Sequence, residues 1–510
     1  MRIGGHVLIL LMVAAPFIAC DDPPAPPAGS GSAGLGGSGG HGGTAAMGGS
    51  GGQGGTGGGT PAGCIPSESD EPVANECGVF VSSSLGDDRN PGTKDAPFAT
   101  IGAALAASPN VVYLCGEPFD ESVDMTAGVD VYGALDCANE WAYAPSTKSS
   151  INGAADSIAL KISGSGASVI ADVSVTAPNA MLAGGSSIAA LVDGSTVDFM
   201  RCDFGAGDGL AGDIGATPAG MATSGTVGGD VLGGSAPTTN CADATTSTGG
   251  DGGLSSSNQN GGPGTSGTSN PTALGEVTNG GSGQSGSVGS PVACSNGTSG
   301  SVGDPGASGA GATGLGALDQ TGFVGIAGQN GQGNGTPGQG GGGGGASKGQ
   351  IVCNAINPAF AGHSGGAGGS GGCGGLPGDG GQAGGASLGV VSVDATVSLL
   401  DCSISVGNGG DGGVGSPGQE GGNPGLGGSP GGTGACGGGA GGKGGQGGAG
   451  GGGLGGHSIG IAYTGTEPEQ DNVMIMIGSA GNGGIGGDGG PSNMGGVGDD
   501  GQEALVQSFD

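Results

Sequence analysis

Between Phe80 and Val175 the chain sets short apolar runs between glycine-containing breaks. Val111-Val112-Tyr113-Leu114, Val129-Asp130-Val131-Tyr132, Ile158-Ala159-Leu160-Lys161-Ile162 and Val169-Ile170-Ala171-Asp172-Val173-Ser174-Val175 are rich in β-branched residues and alternate with period two. That is the pattern of strands with two unlike faces. One short helix is predicted over 101–107, with Thr100 as its N-cap. Short strands at this spacing build either a β-sandwich or a stack of parallel coils.

An internal repeat favours the coils. Ser187-Ile188-Ala189-Ala190-Leu191, continuing through Thr196-Val197-Asp198-Phe199-Met200-Arg201-Cys202-Asp203-Phe204 to Gly207-Asp208-Gly209, has a partner further on. It matches Ser387-Leu388-Gly389-Val390-Val391, through Thr396-Val397-Ser398-Leu399-Leu400-Asp401-Cys402-Ser403-Ile404 to Gly407-Asn408-Gly409, without a gap. A third copy opens at Ser458-Ile459-Gly460-Ile461 and, after three extra residues, resumes at Val473-Met474-Ile475-Met476-Ile477 and ends at Gly481-Asn482-Gly483. Each copy reads as one coil, so the residues between copies are insertions at the same corner of successive coils. Such insertions are tolerated because closure entropy grows only logarithmically with loop length.

Composition divides the chain further. Glycine occupies 140 of 510 positions, which excludes one conventional globule, because glycine brings no side chain to a core and loses the most backbone freedom. The only tryptophan, Trp141, and Tyr113, Tyr132 and Tyr143 fall together in the coil region. Within the insertions, stretches such as 437–449 repeat roughly every three residues, the turn of the polyproline II helix. Such segments either bundle, glycine against glycine, or remain flexible coil, and the pattern leaves both open.

Eight basic residues against 42 acidic ones give a net charge of −34. Without a basic stripe there is no counterion release from phosphates, so nucleic acid is excluded as a partner, and acidic polysaccharides are disfavoured.

Arg2 and His6 precede the apolar run 7–15, too short to span a bilayer, and small residues follow, as in an export leader. Ile18-Ala19-Cys20 resembles a bacterial lipoprotein lipobox, with Phe17 where leucine is usual. The resemblance implies cleavage before Cys20, acylation of Cys20, palmitate among the chains, and a lipid anchor in the cell envelope; the Pro/Gly/Ser-rich spacer and the acidic surface favour the outer membrane or cell surface over the inner membrane. In an oxidising compartment the remaining cysteines are expected in disulfides. Cys64 with Cys77 and Cys115 with Cys137 are the expected local pairs, and Cys202 with Cys402 the pair expected from adjacent coils. Cys241, Cys294, Cys353, Cys373 and Cys436 cannot be paired from sequence.

From Phe80 through the loop Asp87-Asp88-Arg89-Asn90-Pro91-Gly92 to Leu105, the chain resembles the opening segment of pectin-lyase-like right-handed parallel β-helices. The resemblance implies a helix covering the first coil and says little about activity. The fold expected is therefore all-β, a right-handed parallel β-helix with long, partly disordered, Gly-rich insertions. Its divisions are a leader over 1–19, a Pro/Gly/Ser-rich tether over 20–63, a cap and coils over 64–204, and a Gly-rich insertion over 205–385. A coil over 386–406, a second insertion over 407–456, and a last coil with a Gly-rich tail over 457–510 complete it.

Motifs of catalysis are weak. Gly362-His363-Ser364-Gly365-Gly366 fits G-x-S-x-G but lacks the strand and helix of a nucleophile elbow. Gly442-Lys443-Gly444 lacks the hydroxyl of a phosphate loop. Two hexapeptides, 483–488 and 495–500, fit part of a calcium nonapeptide at the wrong spacing. The four histidines, His6, His41, His363 and His457, are scattered. Asp198, Asp203, Asp394 and Asp401 are the candidate carboxylates for glycan hydrolysis, and Lys148, Lys161 and Arg201 the candidate bases for a lyase. No metal site and no cofactor are expected. The expected function is a non-catalytic envelope lipoprotein displaying Gly-rich loops, with membrane, surface glycans or envelope proteins as partners. A glycan-binding module and, behind it, a polysaccharide-cleaving enzyme are the alternatives.

Overall fold

The computed structural model describes residues 62–69, 71–230, 233–256, 259–272, 278–287, 290–349 and 361–510. Cys20, the expected leader, the tether up to 61 and Cys353 lie outside them.

Three long parallel sheets dominate an almost entirely β structure. The first stacks Val79–Val81, Val111–Cys115, Asp130–Asp136, Ala167–Ala171, Thr196–Met200, Thr396–Leu400 and Glu469–Asp471. The second stacks Pro118–Phe119, Ser149–Asn152, Val173–Ala177, Asp203–Ala206, Ser403–Val406 and Met474–Met476. The third stacks Val123–Thr126, Ile158–Ser163, Ser187–Asp193, Ser387–Val393, Ser458–Thr464 and Glu503–Ser508. From Val111 onward the chain visits these sheets in rotation, one strand in each per circuit, apart from Ala142–Tyr143 and short hairpins within the insertions.

The two repeats found in the sequence are neighbours in all three sheets, with Ser187 beside Ser387, Thr196 beside Thr396 and Asp203 beside Ser403. The third copy needs a correction. Ser387 pairs with Ser458, Ser398 with Glu469 and Ser403 with Met474, a constant offset with no extra residues. The strand Glu469–Asp471 is fully exposed, so nothing selected apolar residues there and the register left no apolar trace. At one corner Asp172, Arg201, Asp401 and Asn472 all take left-handed backbone, with φ of 60°, 53°, 52° and 54°. Asp and Asn accept that conformation readily; Arg201 is held there by its bond to Asp172.

Inside the circuits the aromatic residues stack. Phe80 and Tyr113 lie 5.1 Å apart and Tyr113 and Tyr132 5.9 Å, while Phe199 meets Phe204 edge-on at 5.0 Å. Helix Ile101–Ala106 packs beside Val79–Val81 and buries Ile101 and Ala104. Thr100 caps it as expected, accepting from the Ala103 N–H, and the Glu121 carboxylate accepts from Ile101 and Gly102 at its positive end. The third sheet is covered on both faces. Ala190, Val192 and Val390 face the main core, while Ile188, Leu191, Leu388, Val391 and Ile459 face Leu318 and Phe323 of the hairpin Ala317–Asp319/Gly322–Val324.

The described parts of the insertions are ordered, which settles bundle against coil. Residues 340–345 are all glycine; every N–H, and every C=O from Gly341 to Gly345, bonds to another segment. The N–H groups of Gly341 and Gly344 donate to Gly369 and Gly366, those of Gly340 and Gly343 to Thr268 and Thr265, and those of Gly342 and Gly345 to Thr298 and Ser295. In return Gly250 and Gly253 donate to Gly341 and Gly344, Gly281 to Gly343, and Gly439 and Cys436 to Gly342 and Gly345. Contacts thus recur every third residue and point to six surrounding segments, the packing expected of three-residue-per-turn helices. None of these glycines has positive φ. Glycine is needed for proximity instead: a Cβ on Gly340, Gly341, Gly342, Gly343, Gly344 or Gly345 would overlap the carbonyl oxygen of Thr248, Gly439, Asn279, Asp251, Cys436 or Ser282 respectively.

Long antiparallel ladders extend this slab. Gly410, Gly413, Ser416, Gln419, Gly422, Gly425 and Gly428 donate in steps of three to Gly385, Gln382, Asp379, Leu376, Cys373, Ser370 and Ala367. Disulfides Cys241–Cys373 and Cys294–Cys436 cross-link it, with Cα separations of 5.6 and 5.9 Å. In the chain-entropy model, loops of 132 and 142 residues correspond to about 5 kcal/mol each.

Two substitutions separate proximity from backbone freedom. Gly343→Ala forces a methyl into the Asp251 carbonyl and is expected to cost about 2–3 kcal/mol. Gly333→Ala, with open space around its Cβ and no positive φ, is expected to be neutral or to stabilise by up to about 1 kcal/mol. Denaturant unfolding followed by amide exchange in the slab measures both; equal effects would contradict the packing account.

Candidate functional site

In the middle of one slab face, only every third side chain points out. Over 411–422, Asp411, Val414, Pro417 and Glu420 are exposed or half-exposed and every residue between them is buried. Segments 209–228 and 479–487 flank 408–428 in parallel, because Gly212 and Gly215 donate to Asp411 and Val414, and Gly412 and Gly415 to Asn482 and Ile485. Their outward residues therefore line up in rows. Asn408 and Ser479 N–H groups donate to the side chains of Asp208 and Asn408, and Asn482 donates to Asp411. Ile214, Val414 and Ile485 form the next row, 74%, 36% and 61% exposed. Val227 and Leu426 form another further out, joined by the Gly228 N–H to the Leu426 carbonyl. Successive rows are one helical turn apart, about 9 Å at ~3.1 Å per residue.

A second surface feature is a groove of about 560 Å³ beside the third sheet. Gln320, Thr321 and Phe323 of the hairpin form one wall, residues 182–186 another, and Lys161, Asp156 and Ser157 reach it from the sheet side. Its size is that of a small-molecule site.

Of the candidate catalytic residues, Asp203 and Lys148 are brought together and the others bind different partners. Asp198 accepts from Ser398, Asp401 from Asn472, and Asp203 from both Ser403 and Lys148, the last at 2.7 Å. Asp394 stands at a left-handed corner, its N–H donating to Thr464. Arg201 makes a bidentate pair with the buried Asp172, both contacts 2.8 Å, and Tyr143 donates to the same carboxylate. These hydrogen bonds hold the Arg201 pKa above its ordinary value, while burial, and then Asp172, raise that of Tyr143. The carboxylates of Asp198, Asp203 and Asp401 are thus each bound to a neighbour, and the strongest cluster, Arg201 with Asp172, ties one circuit to the next. Ser364 is buried in an extended slab segment, and 483–487 pairs with 495–498 within the slab. Among the described residues no group of three or more His, Cys, Asp or Glu is placed to hold a metal.

Disulfides Cys64–Cys77 and Cys115–Cys137 are present as expected. Cys202 and Cys402 are not joined; both are buried thiols, which corrects that expected pair. They do occupy equivalent positions in adjacent circuits, since Met200 pairs with Leu400 and Asp203 with Ser403. In a parallel ladder, equivalent side chains point the same way at the strand spacing of about 4.8 Å, whereas a disulfide brings Cβ atoms to about 3.8 Å.

Sequence reading missed His457 and Phe323. His457 is fully buried, accepts from the Gln502 N–H at Nδ1 (2.8 Å) and contacts the Leu315 carbonyl through Nε2 (2.7 Å). Phe323 and Phe509 pack edge-on against its ring. No local pattern marks either residue, because their neighbours come from distant segments. No protein family, curated protein or solved structure matches the chain.

Burial holds the His457 pKa below its ordinary value. With the folded pKa below the unfolded one, the unfolded chain binds the proton more readily, so stability is present above about pH 6.5 and is lost as pH falls below it. Protonation would also turn Nδ1 into a donor facing the Gln502 N–H. Between pH 7.5 and 5.5 the melting temperature is expected to fall, by up to about 1.4 kcal/mol of stability per pH unit below 6.5, and His457→Phe is expected to flatten that dependence. A wild-type melting temperature unchanged over this range would refute the assignment.

Proposed function

We propose that this chain is an extracytoplasmic lipoprotein, anchored through Cys20, whose parallel circuits form a right-handed β-helix and whose glycine slab is a display surface for envelope structure or adhesion. The observation that carries this reading is that insertions leaving three successive circuits knit into one slab with aligned rows of outward side chains. A slab held by backbone bonds in several directions presents those rows with little entropy left to lose on binding. Rotation through three parallel sheets supports the β-helix, and the right hand follows the general preference of parallel crossovers. Four disulfides among the described residues support an oxidising compartment. Among the described residues no helix is long and apolar enough to cross a membrane, so attachment in this reading rests on lipid. The slab acts without catalysis, through contact with glycans or proteins of the envelope.

The hairpin groove favours a second reading, glycan binding: the half-buried Phe323 offers an aromatic edge among hydroxyl, amide, amine and carboxylate groups.

Three measurements test these readings. Cys20→Ala is expected to abolish palmitate labelling and move the full chain from the membrane to the soluble fraction; a chain that stays membrane-bound refutes the anchor. Ile214→Glu with Ile485→Glu is expected to leave the melting temperature within about 2 °C, as exposed positions do, while lowering attachment of displaying cells to envelope material at least tenfold. Unchanged attachment refutes the display face. For the groove, Lys161→Met with Gln320→Ala is expected to lose retention on neutral polysaccharide columns.

A further inference from the structure

Eight of the ten described cysteines are in disulfides, and the two that are not stand side by side. Cys202 and Cys402 project from equivalent positions of adjacent circuits, on either side of the point where the longest insertion leaves the sheets. Their ladder spacing, about 4.8 Å, suits a different covalent partner from another sulfur. A zinc–thiolate bond is about 2.3 Å long and bonds from sulfur to other soft cations are of similar length, so a cation between two stacked sulfurs spans roughly the ladder spacing.

We propose that Cys202 and Cys402 form a two-coordinate site for a soft monovalent cation, copper(I) in the cell and silver(I) as its analogue. Thiolate is the ligand class such ions select. Ile170, Phe199, Phe204 and Ile404 are buried in the same core as the two cysteines, while Asp172 and Lys148 are the charged groups that act on the pair from its edge. The Cys202 N–H already donates to Cys402 Sγ at 3.4 Å, a contact that favours a thiolate there, the Val173 backbone makes a like contact to Cys202, and the carbonyls of Ile170, Met200, Phe199 and Leu400 are further partners of the two thiols. The Cys402 pKa is lowered, first by its hydrogen bond from Cys202, whereas burial raises that of Cys202. With no third His, Cys, Asp or Glu completing a cluster among the described residues, the arrangement suits a linear ion rather than tetrahedral zinc. Binding is a proton exchange: two thiols and one monovalent cation give a bis-thiolate complex of charge −1 and release two protons. The bound ion would bridge the circuits across the joint that carries the slab.

The experiment uses the full chain carrying Cys20→Ala and Cys353→Ser, leaving Cys202 and Cys402 as the only cysteines outside the four disulfides. It is incubated with silver(I), desalted and measured for metal content and thermal unfolding. The expected result is one silver per chain and a raised melting temperature, both lost on adding Cys202→Ala or Cys402→Ala. Because either variant could disturb the core, X-ray absorption on the copper(I)-loaded chain with both thiols intact is read as well, with two sulfur neighbours and no further ligand expected. No retained silver, silver retained equally by both variants, more than two metal ligands, or a Cys202–Cys402 disulfide in non-reducing peptide mapping would each overturn the proposal.

Discussion

The structure depends on one contact, a carbonyl oxygen resting where a β-carbon would otherwise be. At Gly343 the Asp251 carbonyl takes that place, at Gly341 the Gly439 carbonyl, and the same substitution of oxygen for side chain recurs down the ladders joining 410–428 to 367–385. Backbones that approach so closely can satisfy their N–H and C=O groups with several different neighbours, which a β-sheet, with two neighbours per strand, cannot offer. The slab needs almost no hydrophobic core of its own, because hydrogen bonds replace side-chain burial as the means of excluding water. Residues 337–347, 364–373 and 447–462 are buried continuously although most of them are glycine, alanine or serine.

This mode of packing could not start by itself. Each extended segment gains its bonds only after its neighbours are in place, so the cost in chain entropy comes before the reward. The circuits of the three sheets supply the register: segments 207–230, 407–431 and 478–487 all leave from the second sheet, and 361–386, 436–457 and 495–501 all return to the third. Neighbouring departures are parallel and neighbouring returns are antiparallel to them, so the sheets set the spacing that the glycine segments then maintain. The hairpin bearing Leu318 and Phe323, with His457 behind it, folds back on the third sheet and ties slab to sheets through side chains rather than backbone.

Much of this was readable residue by residue. The match of Ser187–Asp193 with Ser387–Val393 placed two insertions at one corner, because strands buried on both faces must repeat apolar content wherever they stack. The third copy was misaligned because its strand Glu469–Asp471 lies exposed, where solvent imposes no such requirement. The carboxylates Asp198, Asp203 and Asp401 were visible as acidic residues on the repeated coil, but their ties to Ser398, Ser403, Lys148 and Asn472 come from neighbouring circuits that the text does not set beside them. The rows formed by Ile214, Val414 and Ile485 were hidden for the same reason, since each residue looks isolated in its own segment.

The sequence by itself determined what is periodic: strands of period two, coils repeating with apolar identity, segments of period three, and cysteines close enough along the chain to pair as Cys64–Cys77 and Cys115–Cys137. Those features follow from local geometry, which each stretch carries within itself. Only the tertiary structure decided whether the glycine segments bundle, which of them are neighbours, how Cys241 and Cys294 find Cys373 and Cys436, and why Cys202 and Cys402 remain apart. Glycine offers no side chain with which to specify a partner, so the identity of each neighbour had to come from the sheets that hold the ends of every segment.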